Sequence, residues 1–370
     1  MRSGCGWHLR RAFEHGKNND IHSIGFMATP RNKRSFSQMF EGLRENLEQW
    51  VMARPMALYS SIKYKLEHLP QTNFDLGVTF ASAGKLQDAI FRFKIALYLQ
   101  PDFIRAQYNL GCCYLRLEKR ALARQSFVQI LKREPNHTEA LFMLSAIDPA
   151  SVSPAQRPTR MPPGMVEEFF NSLAPQYDEL ETANQYHGGR LCADGIKLLV
   201  GEKTGLRIVD LGCGTGLAVR GVRAMAEDIT GIDVSPAMAH TARAIRVNDR
   251  ALFDRVLEED ITKLTIGETV LGEADIILCC NTAQFVGDLQ SLLALLGAKL
   301  KPGASVLLTI EPFNTPAGFG VNIDTGRFGH HPDALKKIAV ASGLSVKNEA
   351  RIHLYPGIPA QLFVFSKAAA

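Results

Sequence analysis

The run Ile208-Val209-Asp210-Leu211-Gly212-Cys213-Gly214-Thr215-Gly216 joins a buried-strand pattern to three alternating glycines ahead of a helix. Glycines there let a backbone approach a ligand with no Cβ in the way. The spacing is G-x-G-x-G, and Leu217 stands where a dinucleotide fingerprint wants its third glycine, so a diphosphate site is disfavoured. Asp210, two residues before the loop, would repel a pyrophosphate and suits a cationic ligand. Asp233, in Gly231-Ile232-Asp233-Val234-Ser235-Pro236, follows Gly212 by 21 residues. An acid ending a second parallel strand can accept hydrogen bonds from both hydroxyls of a ribose. Leu257-Glu258-Glu259-Asp260-Ile261 then ends a third strand with acids beside an adenine position; Asp260 alone equally reads as a helix cap.

These residues need a scaffold. From Met165 onward the chain alternates helices with short β-rich strands, and Ser235 and Pro236 read as a helix cap and first helical residue. The three segments together resemble the motifs of class I S-adenosylmethionine-dependent methyltransferases. The resemblance covers roughly residues 72–368 and narrows to predicted methyltransferases carrying N-terminal tetratricopeptide (TPR) repeats, whose substrates are not established. It implies an α + α/β chain, with TPR helical repeats followed by a Rossmann-like domain on a mostly parallel seven-stranded sheet. It also implies S-adenosyl-L-methionine as cofactor, held by Asp210, Gly212, Cys213, Gly214, Gly216, Asp233, Val234, Asp260, Ile261 and Asn281.

Other segments fit the same family. Phe170-Asn171-Ser172-Leu173-Ala174-Pro175-Gln176-Tyr177-Asp178 matches its opening motif, in which an aromatic residue closes over the cofactor. Phe170, Ala174 and Tyr177 also share one helical face, so packing explains part of that pattern. Asp275 to Leu278 is a fourth strand continuing into Asn281 and Gln284, and Val286-Gly287-Asp288-Leu289 opens a helix. Lys301-Pro302-Gly303 leads into a fifth strand, Ser305 to Ile310, and Gly326-Arg327-Phe328-Gly329-His330 precedes a further helix. One departure stands out: the family has an acid near the end of strand four, where this chain reads Cys279-Cys280-Asn281-Thr282.

Methyl transfer from a sulfonium is an in-line displacement whose driving force resides in the cofactor, so the protein aligns reactants and excludes water. An amine or hydroxyl acceptor must also lose a proton. His330 is the candidate base, and Tyr177 is the candidate for closing over the methionine end. His187 and His331 are less suited, the latter fitting a cap ahead of Pro332. Gln284 and Arg327 are the candidate substrate contacts, Arg327 pairing with an acidic substrate or with a surface carboxylate.

The first half is organised by a repeat. Leu76-Gly77, Phe80, Ala89, Phe93, Ala96 and Pro101 recur 34 residues later as Leu110-Gly111, Tyr114, Ala123, Phe127, Ile130 and Pro135. Small residues fit where two helices cross closely, aromatics fill the groove, and proline ends each unit. The set resembles the TPR repeat, with copies at about 70–103 and 104–137 and a partial third starting at Thr138. Phe36 to Val51 reads as an amphipathic helix, capping the stack or meeting a partner or membrane surface. The expected division is a basic tail (1–34), a helical TPR region (35–148), a proline-rich linker (149–164) and the catalytic domain (165–370).

Composition bounds the rest. The 42 Lys+Arg and 37 Asp+Glu give +5, and the first 40 residues alone, with seven bases and two acids, account for all of it. Bulk nucleic-acid binding by the folded part is therefore unsupported. The tail reads either as an organellar targeting segment, or as a solvated extension or over-long start before Met27. No window nears the length of a membrane span. Seven cysteines, with neither a C-x-x-C nor a His/Cys cluster, argue for a reducing compartment and against zinc. The expectation is a cytoplasmic TPR-linked methyltransferase acting on a small-molecule or protein acceptor, its repeats docking a protein. The competing reading is a TPR adaptor whose methyltransferase-like domain binds cofactor but is catalytically weak.

Overall fold

The computed structural model describes residues 56–368 apart from Ile266 and Asp324. The basic tail and the amphipathic stretch Phe36 to Val51 lie outside the described residues. The described chain forms two compact units, 56–126 and 127–368.

The first unit is helical: α1 (Met56–Ser82), α2 (Leu86–Leu99) and α3 (Ile104–Arg116), with α4 (Arg120–Leu131) running across its end. α2 and α4 start 34 residues apart, as the repeat spacing requires. Gly77 is where two helices close up, since a Cβ on it would lie 2.6 Å from the Phe93 ring. Ala89, Phe93 and Ala96 are fully buried, and so are their later counterparts Ala123, Phe127 and Ile130. The correspondence stops at Leu76, which is exposed where Leu110 is buried. α1 also begins well ahead of the expected repeat and runs through Pro70.

The second unit begins within α4 and continues with α5 (Thr138–Ile147), whose Phe142 meets Phe328 edge-on at 5.7 Å. The second compact unit thus starts ahead of the expected linker at 149–164. The expected linker is no free tether either. Asp288 N–H donates to Thr159 O (2.7 Å), Met161 N–H donates to Phe285 O (2.9 Å), and Met161 is 2% exposed. Proline fixes φ without supplying a donor, so these residues keep an extended form that the loop at 285–288 can pair.

Then come α6 (Pro163–Leu173), α7 (Tyr177–Ala183) and α8 (Gly188–Val200), followed by the sheet. Its strands are β1 (Leu206–Leu211), β2 (Ala226–Asp233), β5 (Arg255–Glu258), β6 (Ile276–Cys279), β7 (Ser305–Ile310), β10 (Leu344–Tyr355) and β11 (Ile358–Lys367). Two small hairpins pair β3 (Arg246–Val247) with β4 (Arg250–Ala251), and β8 (Phe319–Asn322) with β9 (Arg327–His330). The seven strands run in the order β10-β11-β7-β6-β1-β2-β5. β11 is antiparallel to both neighbours and the other pairs are parallel, which matches the expected sheet.

The period of two along β1 builds both cores. Val209 and Leu211 face one side with Ile232, Ile277 and helix α9 (Gln290–Lys299); Leu206 and Ile208 face the other with Ile196 of α8. Helices on both faces account for the almost unbroken burial of the central strands. From β1 the chain moves one way to β2 and β5, then returns to β1's other flank for β6 and β7. That reversal makes the carboxyl end of β1 the topological switch point, where open α/β sheets hold ligands.

Candidate functional site

A cleft opens at that switch point. Gly212, Cys213, Gly214, Asp233, Val234, Asp260, Ile261 and Asn281 line it, together with Tyr177. The structure thus brings together most of the cofactor set read from the sequence. Asp210, Gly216, Gln284, Arg327 and His330 do not line it.

All three loop glycines have positive φ, at +73°, +52° and +90°. At Gly212 a Cβ would collide with Thr282 at 2.3 Å. At Gly216 it would strike Leu252 at 2.4 Å, so this glycine makes room for packing instead of touching the ligand, as had been expected. Only above Gly214 is there space, the nearest neighbour being the Tyr177 ring at 3.8 Å. That gap between backbone and aromatic ring is a cradle.

Asp233 sits beside it, 7% exposed. Its Oδ2 accepts from Gly214 N–H and its Oδ1 from Ser235 N–H, each at 2.8 Å. Burial raises its pKa, while these backbone donors pull it down. Each oxygen keeps a lone pair, which suits two vicinal hydroxyls. Asp210, 1% exposed, ends β1 behind the loop with its Oδ2 unpartnered, and burial pushes it up to about 7, with Asp233 adding to the shift. Asp260 is no helix cap: Thr262 N–H and Arg160 Nη1 both donate to it, at 2.8 and 2.5 Å.

The segment 170–178 lies over the loop because its polar residues tie it down. Asn171 Oδ1 accepts from Ser235 Oγ (2.7 Å) and Ala237 N–H (3.1 Å). Asp178 accepts from Thr215 Oγ1 and from Arg220 Nη2, both at 2.5 Å. Phe170, edge-on to Tyr177 (6.3 Å) and Phe285 (5.2 Å), completes an aromatic wall.

His330 does not take the part of a base. It is 3% exposed on β9, and its Nε2–H donates to Val286 O (2.8 Å) and Gly287 O (3.1 Å). Burial lowers its pKa to about 4. Arg327 is likewise buried, facing Glu311 at 3.9 Å, so its partner is an internal carboxylate. Gln284 is buried behind the cleft and donates to Asn281 Oδ1. His331 caps helix α10 (Pro332–Ala341), accepting from Asp333 N–H.

Residue reasoning missed Glu181. It is 2% exposed, receives the Tyr355 hydroxyl (3.2 Å) and keeps Oε2 unpartnered. Burial pushes it up to about 7 against that donor. Its spacing of four from Tyr177 on α7 was the available signal. Asn281 joins the same network, donating to Tyr355 Oη (2.9 Å) from a left-handed backbone at φ +56°. Where the family has an acid, Cys280 meets the Tyr186 hydroxyl at 3.4 Å.

Residues 209–306 match a family model described as a methyltransferase domain. A ubiquinone biosynthesis O-methyltransferase from Xanthomonas axonopodis pv. citri is 24% identical over 152 residues, 39% of this chain and 62% of that protein. One from Pseudomonas aeruginosa is 26% identical over 113 residues, 30% of this chain and 47% of that one. The chain therefore spans less than two thirds of these relatives. Among solved structures, Synechocystis magnesium protoporphyrin IX methyltransferase with bound SAM aligns at 16% identity, TM-score 0.42, over 56% of this chain and 97% of that one. Burkholderia thailandensis 1,6-didemethyltoxoflavin-N1-methyltransferase aligns at 14%, TM-score 0.44, over 57% and 92%. With its glycine loop, the cleft-lining Asp233 and a matching sequence model, the second half of this chain contains an S-adenosylmethionine-dependent methyltransferase domain.

Proposed function

We propose that this protein transfers a methyl group from S-adenosylmethionine to a small-molecule or protein acceptor, and that its helical repeats are a TPR module docking a protein partner. The cradle between Gly214 and Tyr177, with Asp233 beside it, carries the reading. Asp233 would hold both ribose hydroxyls, and Asp260 and Ile261 would flank adenine. The bound cofactor supplies an electrophilic sulfonium methyl.

Around it, Tyr177, Phe170 and Phe285 exclude water and align the acceptor. The cleft mixes this aromatic wall with a few polar groups, Tyr186 and Asn281 among them, which favours a largely apolar acceptor carrying a hydroxyl or amine. The O-methyltransferase activity of the curated relatives is compatible with this chemistry.

The 34-residue periodicity and the Gly77–Phe93 crossing support the docking module. The adaptor reading draws on one observation, that among the described residues no histidine lines the cleft. The test uses the full chain as bait, with labelled S-adenosylmethionine and a cell extract. Label should pass to a captured protein or to a small molecule, and not with Gly214→Val. Cofactor binding with no transfer to any fraction would favour the adaptor.

A further inference from the structure

We propose that Arg160, in the proline-rich segment ahead of the catalytic domain, is a positioning residue of the cofactor site. It fixes Asp260 as an acceptor for the adenine 6-amino group and makes the site selective for 6-aminopurine over 6-oxopurine nucleosides. The inference rests on the cofactor reading above.

The Asp260 carboxylate is almost fully committed. Its Oδ1 accepts from both Thr262 N–H (2.8 Å) and Thr262 Oγ1 (2.7 Å). Its Oδ2 accepts from Arg160 Nη1 at 2.5 Å, and that nitrogen also reaches Thr262 Oγ1 at 2.7 Å. A carboxylate oxygen takes about two hydrogen bonds, so only Oδ2 keeps an acceptor position. Both Arg160 and Asp260 line the cleft. Their side chains are 28% and 25% exposed, sheltered enough for the pair to hold one geometry.

Arg160 is itself held. It forms an antiparallel bridge with Val286, between the Thr159–Asp288 and Met161–Phe285 bonds, next to buried Met161. A sequence stretch that reads as a tether is a wall of the site. Its arginine holds Asp260 in one orientation. A 6-amino group donates to such an oxygen. A 6-oxo group presents another acceptor and is repelled, and a hydrogen-bonding site left unpaired in this way discriminates strongly.

Calorimetry on the full chain tests this with two probes, S-adenosylhomocysteine and its deaminated analogue S-inosylhomocysteine, alongside thermal melts. The wild-type protein should prefer the adenine compound by about 10-fold or more. Arg160→Ala should weaken that compound by about 10-fold and leave the inosine analogue little changed, so that the ratio collapses. Arg160→Lys, which keeps the charge, should restore most of it. An unchanged ratio in Arg160→Ala, or equal loss of both probes as a merely structural wall would give, would overturn the proposal. Equal binding of both probes by the wild-type chain overturns this inference alone. A wild-type chain that binds neither overturns the cofactor reading beneath it.

Discussion

Asp233 reaches back from the end of β2 to accept the N–H of Gly214, at 2.8 Å, so one carboxylate both orders the glycine loop and faces the cleft. Asp233→Ala removes that tie together with the proposed ribose contacts. S-adenosylmethionine affinity should fall by about 1.5–3 kcal/mol, the range for hydrogen bonds to a charged group. Calorimetry measures it, and unchanged affinity in a folded variant would take Asp233 out of the site.

Gly214→Val should abolish cofactor binding. Its φ of +52° excludes a β-branched residue, and the branch would fill the space beneath Tyr177. Since no packed neighbour is displaced there, the melting temperature should change less than for Gly216→Val, whose side chain meets Leu252 and Phe253. A variant that still binds normally refutes the cradle.

Glu181 gives the ligand-free protein a pH signature. Burial lifts its pKa from the usual 4.5 to about 7. The folded protein holds this proton more tightly than the unfolded chain, so the associated stability is fully present below pH 4.5 and is lost as the pH rises through about 7. The amount is about 3 kcal/mol by linkage. Asp210, lifted from 3.8 to about 7, acts in the same direction. Glu181→Gln should flatten this slope in denaturant titrations between pH 4.5 and 7.5, and a slope identical to wild type would place Glu181 in a more solvated state.

His330 works in the opposite sense. Its pKa falls from 6.5 to about 4, so its contribution is present above pH 6.5 and lost as the pH drops through 4. His330→Ala should cost about 2–3 kcal/mol of stability, because the Val286 and Gly287 carbonyls lose their donor. Cofactor affinity should hardly change. A variant of normal stability would contradict this structural role.

Limited proteolysis should spare residues 159–161, which are paired to the 285–288 loop. Early cleavage there would mean that the pairing does not persist in solution.

The sequence by itself determined the features that depend on neighbours along the chain. The glycine loop, Asp233, the Ser235 and His331 caps and the strand from Ser305 to Ile310 were all legible, because strand period, cap chemistry and loop φ are set within a few residues. The 34-residue helix spacing was legible for the same reason. Tertiary structure decided what depends on burial and on distant partners. A histidine in a loop beside a helix looks like a base until β9 carries it under Val286 and Gly287, where desolvation holds it neutral. Arg327 changes from substrate contact to the partner of Glu311 on the same grounds. Glu181 gains its raised pKa only when the fold buries it, its Tyr355 donor lies 174 residues away, and Arg160 reaches Asp260 across 100 residues. Desolvation and long-range pairing leave no periodic mark in a sequence, because the residues that cause them are chosen by the fold.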